Sequence, residues 1–273
     1  MGLFAPFTFL EQKAELAPAP GPSYQFRNDP YSASLFLAVP GSEFTSLGMT
    51  SPLQDVSALI KGVGSNVSLI STGSGQLYAS SSVLNYSGSN WADEGYTTAL
   101  VTANQKNLGA LPWNQMTGSN GIGMGNQSFV VEGFIAPVAP DWGPGPSAPF
   151  QMHIFGHNGG DSLLLQWTTG TQLRYFMDGS SITFNLTDTQ NNYYHFAFVR
   201  SGTSRYIYVN GTRVASGTLS GDFDSEGYNS ILGFDGGNDA TGKLVQDFRV
   251  YIGTDKGYTG ATITVPSSIV EEV

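Results

Sequence analysis

The chain contains no cysteine, which removes thiolate metal ligation, thiol nucleophiles and disulfides from the chemistry open to it. Of its histidines, His153 and His157 in "HIFGH" stand four residues apart. On a helix that spacing would bring two imidazoles over one metal ion. The run around them, "FQMHIFGH", reads as a strand, where positions four apart share a face but lie about 13 Å from each other. No joint metal site is expected, and His153, His157 and His195 are read as packing or hydrogen-bonding residues. No serine occupies the strained nucleophile-elbow pattern that activates a hydroxyl. Oxygen donors gather in "HNGGD" (157–161), "GDFDSEG" (221–227) and "DGGND" (235–239). Calcium takes six to eight oxygens of this kind, and Asp235 and Asp239 are the candidate ligands; tight turns favour the same residues for conformational reasons. Among the tryptophans, Trp142 and Trp167 are the candidate glycan contacts. Trp142 lies in "APDWGPGPSAP", a Pro/Gly-rich loop expected at the surface, where it serves equally well to cap the end of the fold or to meet a neighbouring subunit.

The elements that must hold these groups are strands. Runs of strand length recur at roughly ten-residue spacing from Tyr24 onward: "SASLFLAVPG" (32–41), "NVSLIST" (66–72), "SFVVEGFIAPV" (128–138), "SLLLQWT" (162–168), "QLRYFMDG" (172–179), "YHFAFVR" (194–200), "RYIYVNG" (205–211) and "KLVQDFRVYIG" (243–253). Gly, Asn and Asp punctuate them, and no alternation with helices is present, so an antiparallel sandwich or barrel is expected. One short helix is predicted over "SPLQDVSALIKG" (51–62), from a Ser51/Gln54 capping box, Pro52 at the first helical position and Gly62 at the end. Several strands are apolar at both parities. That implies strands covered on both sides or an aromatic-lined outer face. Phe196 and Phe198 share one face against His195, Ala197 and Val199; Tyr206 and Tyr208 are expected outward, with Ile207 and Val209 inward. Asn210-Gly211 is the strongest two-residue hairpin signal in the chain. It also opens one of five N-x-S/T sequons (Asn66, Asn85, Asn126, Asn185, Asn210), which are read as products of an Asn/Ser/Thr-rich composition, not as glycan acceptors.

With 21 acidic and 11 basic residues the formal charge is −10 over 273 residues. Nucleic acid and anionic membrane surfaces are disfavoured as partners. The apolar run at 2–10 carries no preceding base, is interrupted by Pro6 and is closed by Glu11; neither a signal peptide nor a membrane span is expected. Residues 14–23, "AELAPAPGPS", read as a semi-rigid spacer. Residues 1–23 are therefore expected to be an arm and 24–273 a single domain. Phe4, Phe7, Phe9 and Leu10 are the expected anchoring contacts to a protein partner.

The stretch "YYHFAFVRSGTSRYIYVNGTRVASGT" (193–218) resembles a signature hairpin of the concanavalin A-like, laminin-G-like jelly rolls. "DPYSASLFLAVPG" (29–41), "SFVVEGFIAP" (128–137), "SILGFDGG" (230–237) and "GKLVQDFRVYIGTDKGYTGATITVP" (242–266) resemble further strands of such domains, in the same order. The resemblance spans roughly residues 24–268 and implies an all-β, two-sheet antiparallel jelly-roll sandwich, here with one short helix and an extended N-terminal arm. The fold by itself does not fix a function. Related glucanases place paired acids in Glu-x-Asp-x-x-Glu, which puts both carboxylates on one strand face. The matching strand here has Glu132 followed by Gly133 and Phe134, so the catalytic pattern fails. Glu132 is read as a strand residue near a sheet edge, and no enzyme activity is expected. Calcium, bound by many relatives in rim loops, is the one cofactor considered. The opening "DPY" strand and the "LVQDFRVYIG" close resemble versions in tailed-bacteriophage structural proteins. The expected function is thus a virion structural component, capsid decoration or tail fibre, made in the host cytoplasm, anchored to other virion proteins by its arm and packing as a homo-oligomer. The alternative is a carbohydrate-binding, lectin-like adhesin that recognises host-surface glycan.

Overall fold

The computed structural model describes residues 24–39, 57, 60, 76–80, 98–102, 109–111, 124–137, 150–156, 161–167, 171–177, 179–186, 194–218, 221–223, 229–233 and 243–272. Sixteen strands run through them. In chain order these are β1 (Tyr24–Phe26), β2 (Leu35–Val39), β3 (Gln76–Ser80), β4 (Thr98–Thr102), β5 (Gly109–Leu111), β6 (Phe129–Pro137), β7 (Phe150–Gly156) and β8 (Ser162–Trp167). The remainder are β9 (Thr171–Met177), β10 (Ser180–Asn185), β11 (Tyr194–Ser201), β12 (Ser204–Val209), β13 (Thr212–Thr218), β14 (Asn229–Gly233), β15 (Lys243–Ile252) and β16 (Val270–Glu272). A single turn of 3-10 helix, Ser32–Ser34, leads into β2. Of the helix predicted over 51–62, Ser57 and Ile60 are described and both are helical; its other residues lie outside the described set.

The strands form two antiparallel sheets in a sandwich. The larger runs β13-β12-β11-β6-β15-β4-β3, with β2 also on β15; the smaller runs β10-β9-β8-β7-β14-β5. Along β15, β4 pairs with Lys243–Val245 and β2 with Phe248–Tyr251, so the two share the edge opposite β6. A two-stranded pairing of β1 with β16 ties the start of the sandwich to its end, Tyr24 opposite Glu272. The signature stretch supplies three adjacent strands. Gly202, at φ 56°, turns β11 into β12; Asn210 (φ 47°) and Gly211 (φ 78°) turn β12 into β13, the positive-φ pair that matches the strand twist. Asn210 also returns to β11, its Oδ1 accepting from the His195 N–H at 2.9 Å.

Side-chain alternation divides the burial. One parity of the large sheet (Phe129, Val131, Phe196, Phe198, Ile207, Phe248) meets Leu163, Leu173, Tyr175 and Met177 of the small sheet to make the main core. Tyr175 and Phe198 meet edge-on across it with centroids 6.0 Å apart. Each such fully buried ring contributes about 1.5–3 kcal/mol from area removed from water.

The other parity is buried as well. Val130, Ala197, Val199, Tyr208, Tyr251 and Leu35 form a second cluster on the outer face of the large sheet, covered by Tyr258 and Ile269. The cover is the run-out after β15. Two of its backbone bonds, Arg213 N–H to Ala261 (2.9 Å) and Ile263 N–H to Gly211 (2.7 Å), dock it along the edge strand β13. The apolar residues at both parities thus mark a sheet covered on both sides. The tyrosine expected outward at position 208 faces outward from the core yet is fully buried, because the run-out lies over it: its hydroxyl is 3.0 Å and 2.8 Å from the carbonyls of Tyr258 and Gly260.

Candidate functional site

Glu132 sits in the middle of β6, between β11 and β15, opposite Ala197 and Arg249 in the two registers. The expectation that it lies near a sheet edge is corrected: it is central and fully buried. Its parity, shared with Val130, directs it to the outer face, where the run-out closes over it. Lys256 Nζ donates to Glu132 Oε1 at 2.6 Å, and His195 Nε2 lies 3.6 Å from Oε2, too long for a strong hydrogen bond but close enough for electrostatic coupling. Burial alone would push the Glu132 carboxyl up; the Lys256 ammonium, then His195 and the Arg249 guanidinium, outweigh it and hold the group well below the usual carboxylate range. His195 is shifted down, because burial disfavours the imidazolium more than Glu132 favours it.

Lys256 itself takes φ 55°, and its side chain reaches Glu132 in the sheet. Its Nζ stands 4.2 Å from the ring centroid of Tyr251 and 5.1 Å from those of Tyr31 and Tyr258. Three aromatic faces and one carboxylate thus replace the water around the ammonium, and desolvated cation–π contacts of this kind reach about 2 kcal/mol. The opening turn is tied in: Asp29 Oδ2 accepts from the Tyr251 hydroxyl at 2.7 Å, and Tyr31 OH donates to the Lys256 carbonyl at 3.2 Å.

Beside this cluster a cavity of about 470 Å³ opens between residues 27–35 and 256–269. Arg249 and Leu35 line it from the sheet, and Arg27, Asp29, Tyr31 and Thr264 from its two walls. Both arginines are fixed by the run-out. Arg27 Nε donates to the Ser268 carbonyl at 3.1 Å and Arg249 Nη2 to that of Ser267 at 2.6 Å.

The residues singled out in the sequence fall differently. Phe4, Phe7, Phe9, Leu10, Trp142, His157, Asp235 and Asp239 lie outside the described residues. Trp167 ends β8, opposite Phe150 and Thr171, and His153 lies in β7 opposite Leu164. Among the described residues no group of three or more His, Cys, Asp or Glu is placed to hold a metal ion. His195 packs edge-on against Phe134 with centroids 5.3 Å apart, and Arg200 ties β11 to the carbonyls of Gly125 and Gly221, both at 2.8 Å. The sequence reading missed Lys256, Arg249 and Tyr31. The signal that pointed to them was the double-parity burial, which requires a cover and therefore a partner for any acid beneath it.

Residues 142–254 match the family model described as the concanavalin A-like lectin/glucanases superfamily, and the two sheets are a concanavalin A-like sandwich. No curated protein shows significant sequence similarity to the chain. Among solved structures, the binding domain of Paraclostridial Mosquitocidal Protein 1 is similar with a TM-score of 0.51 at 12% identity, over 81% of this chain and 49% of that one; the chain thus spans about half the length of that domain. Domain 4 of AbnA, an extracellular arabinanase from Geobacillus stearothermophilus, is similar at 16% identity and TM-score 0.48, covering 81% and 93%. Full-length tailspike protein 2 of Escherichia coli O157:H7 bacteriophage CAB120 is similar at 14% identity and TM-score 0.45, covering 70% and 26%.

Proposed function

We propose that the chain is a non-enzymatic glycan-recognition module. The observation that carries this reading is the state of Glu132 within a fold whose family is described as lectin and glucanase. It is the one acid on the strand that resembles the glucanase catalytic strand, and it is sealed from water and clamped by Lys256 at 2.6 Å. A carboxylate held so far below its ordinary range cannot act as a general acid near neutral pH, and a nucleophile must be reachable by substrate. Of the two activities in the family description, binding is the one that the sealed state of Glu132 supports. A glycan array probed with and without calcium tests it: at least one class of glycan is retained, while polysaccharides incubated with the protein release no new reducing ends. An array blank under both conditions overturns the reading.

A second reading places the module in a tailed-phage virion, anchored by residues 1–23. It is supported by the two stretches that resemble phage versions, "DPYSASLFLAVPG" and "LVQDFRVYIG", which meet as the antiparallel neighbours β2 and β15. Deleting residues 2–13 should abolish incorporation into particles, and unchanged incorporation sinks it.

A further inference from the structure

We propose that the cavity between residues 27–35 and 256–269 binds an uncharged saccharide. This rests on the glycan-recognition reading and adds to it a place and a ligand class. A volume of about 470 Å³ is within the range of about 300–1,000 Å³ typical of small-ligand sites. The lining comes mainly from the two ends of the domain, the turn before β2 and the run-out after β15.

The charges of the wall disfavour ionic ligands. Arg27, Asp29, Arg249 and Lys256 line the cavity, and each is already engaged within the protein. Lys256 is paired with Glu132 at 2.6 Å, and Arg249 lies 3.8 Å from Asp247. Arg249 and Arg27 also donate to the Ser267 and Ser268 carbonyls. Asp29 accepts from the Tyr251 hydroxyl through one oxygen and from the Tyr31 N–H through the other, at 2.7 Å and 2.8 Å. Three cations thus stand with three carboxylates, Asp29, Glu132 and Asp247. An ionic ligand would give up its water here and meet no spare counter-charge, which is the costly form of burial. The formal charge of −10 counts further against anions.

What remains of the wall suits a sugar. Tyr31 is 38% exposed, the large hydrophobic side chain most open to solvent among the described residues. Lys256 Nζ lies over its ring, 5.1 Å from the centroid, and its hydroxyl and N–H are held by the Lys256 carbonyl and Asp29 Oδ1. An exposed ring fixed in this way offers the C–H face of a pyranose a flat platform at little ordering cost. Thr262, Thr264 and Ser267 line the same cavity at exposed positions. Each hydroxyl is both donor and acceptor, as is each hydroxyl of a sugar. The half-buried Ile263 between the two threonines adds apolar surface, so the wall is amphipathic in the manner of the ring it would hold.

The test titrates gluco-, galacto- and manno-oligosaccharides calorimetrically, each beside its counterpart oxidised at C6 to the uronate, with EDTA present. At least one neutral member should bind, and about tenfold or more tighter than its uronate. Its affinity should change less than about twofold between low and high salt, because no ionic contact is there to be screened. Thr264→Trp, which fills the cavity from an exposed position, and Tyr31→Ala should each weaken binding about tenfold or more, while Tyr31→Phe keeps the ring and most of the affinity. Thr183→Trp, at an exposed position on β10 in the other sheet, should leave binding unchanged. Thermal unfolding of each variant reports that it is folded, and Thr264→Trp decides the case if Tyr31→Ala is not. Binding that ignores Thr264→Trp, is lost in Thr183→Trp, prefers the uronate or returns only with calcium overturns the cavity proposal and leaves glycan recognition standing. So does an array that retains only charged glycans. Failure of the wild type to bind any array glycan removes both.

Discussion

Glu132 and Lys256 each hold a full charge out of water, so each depends on the other. Removing one member of a buried pair leaves an uncompensated charge, a loss of about 3–5 kcal/mol, whereas replacing both with apolar groups of similar volume is often neutral. Glu132→Gln should therefore destabilise the fold by an amount in that range, as measured by urea or guanidinium unfolding. The double change Glu132→Leu with Lys256→Met should recover most of the loss, since Met keeps the contacts with Tyr31, Tyr251 and Tyr258 that now surround the ammonium. If the double variant is as unstable as the single one, the cluster's worth lies elsewhere than in charge compensation.

The element that makes the outer face is the run-out from Gly253 to Ile269, and its attachment to the β12–β13 hairpin is narrow. Gly211 donates conformation and space together. Its φ is 78°, and a Cβ there would lie 2.8 Å from the Ile263 carbonyl oxygen, the atom group next to the Ile263 N–H that bonds to Gly211. Gly211→Ala thus meets both a strained backbone and a backbone clash, and should cost about 1–3 kcal/mol. The loss should be local as well as global. Amide exchange should quicken at Arg213 and Ile263, whose N–H groups bridge hairpin and run-out, before it quickens at Phe196 or Phe198 in the core. Uniform acceleration would mean that the run-out and the sandwich open as one unit.

For the molecule as a whole, the buried charges set how stability depends on pH. The His195 pKa is lowered in the folded chain from 6.5, so the unfolded chain binds the proton first and stability falls as pH drops below about 6.5. Glu132 is lowered from 4.5; its contribution is complete above about 4.5 and is lost as pH falls toward its folded value. On the alkaline side Tyr175, Tyr251 and Tyr258 are raised above 10.0, burial being the largest cause in each, so stability declines again as pH rises past about 10. The profile should be a plateau from about pH 6.5 to 10 with an acid limb in two parts. Glu132→Gln should erase the lower part and deepen the upper one, because the carboxylate that favours the His195 imidazolium is lost, as followed by unfolding midpoints at fixed ionic strength. A wild-type midpoint that does not move between pH 7 and pH 4 would contradict the assignment.

Much of the fold was determined locally and could be read in the sequence. Strand-length runs, their turn residues and the Asn210-Gly211 pair specify β11, β12 and β13 with little help from elsewhere, because backbone preference and alternation act over a few residues. The failed Glu-x-Asp-x-x-Glu spacing was equally legible. What only the tertiary structure decided is the company Glu132 keeps. Lys256 lies 124 positions away, and the cavity joins Tyr31 to the Lys256 carbonyl across 225. Alternation says which face a strand residue takes, but not what covers that face. A run-out without strand periodicity carries no local signal of where it will lie, so its docking onto the sheet, and with it the burial of Glu132 and the cavity beside it, is set by long-range packing alone.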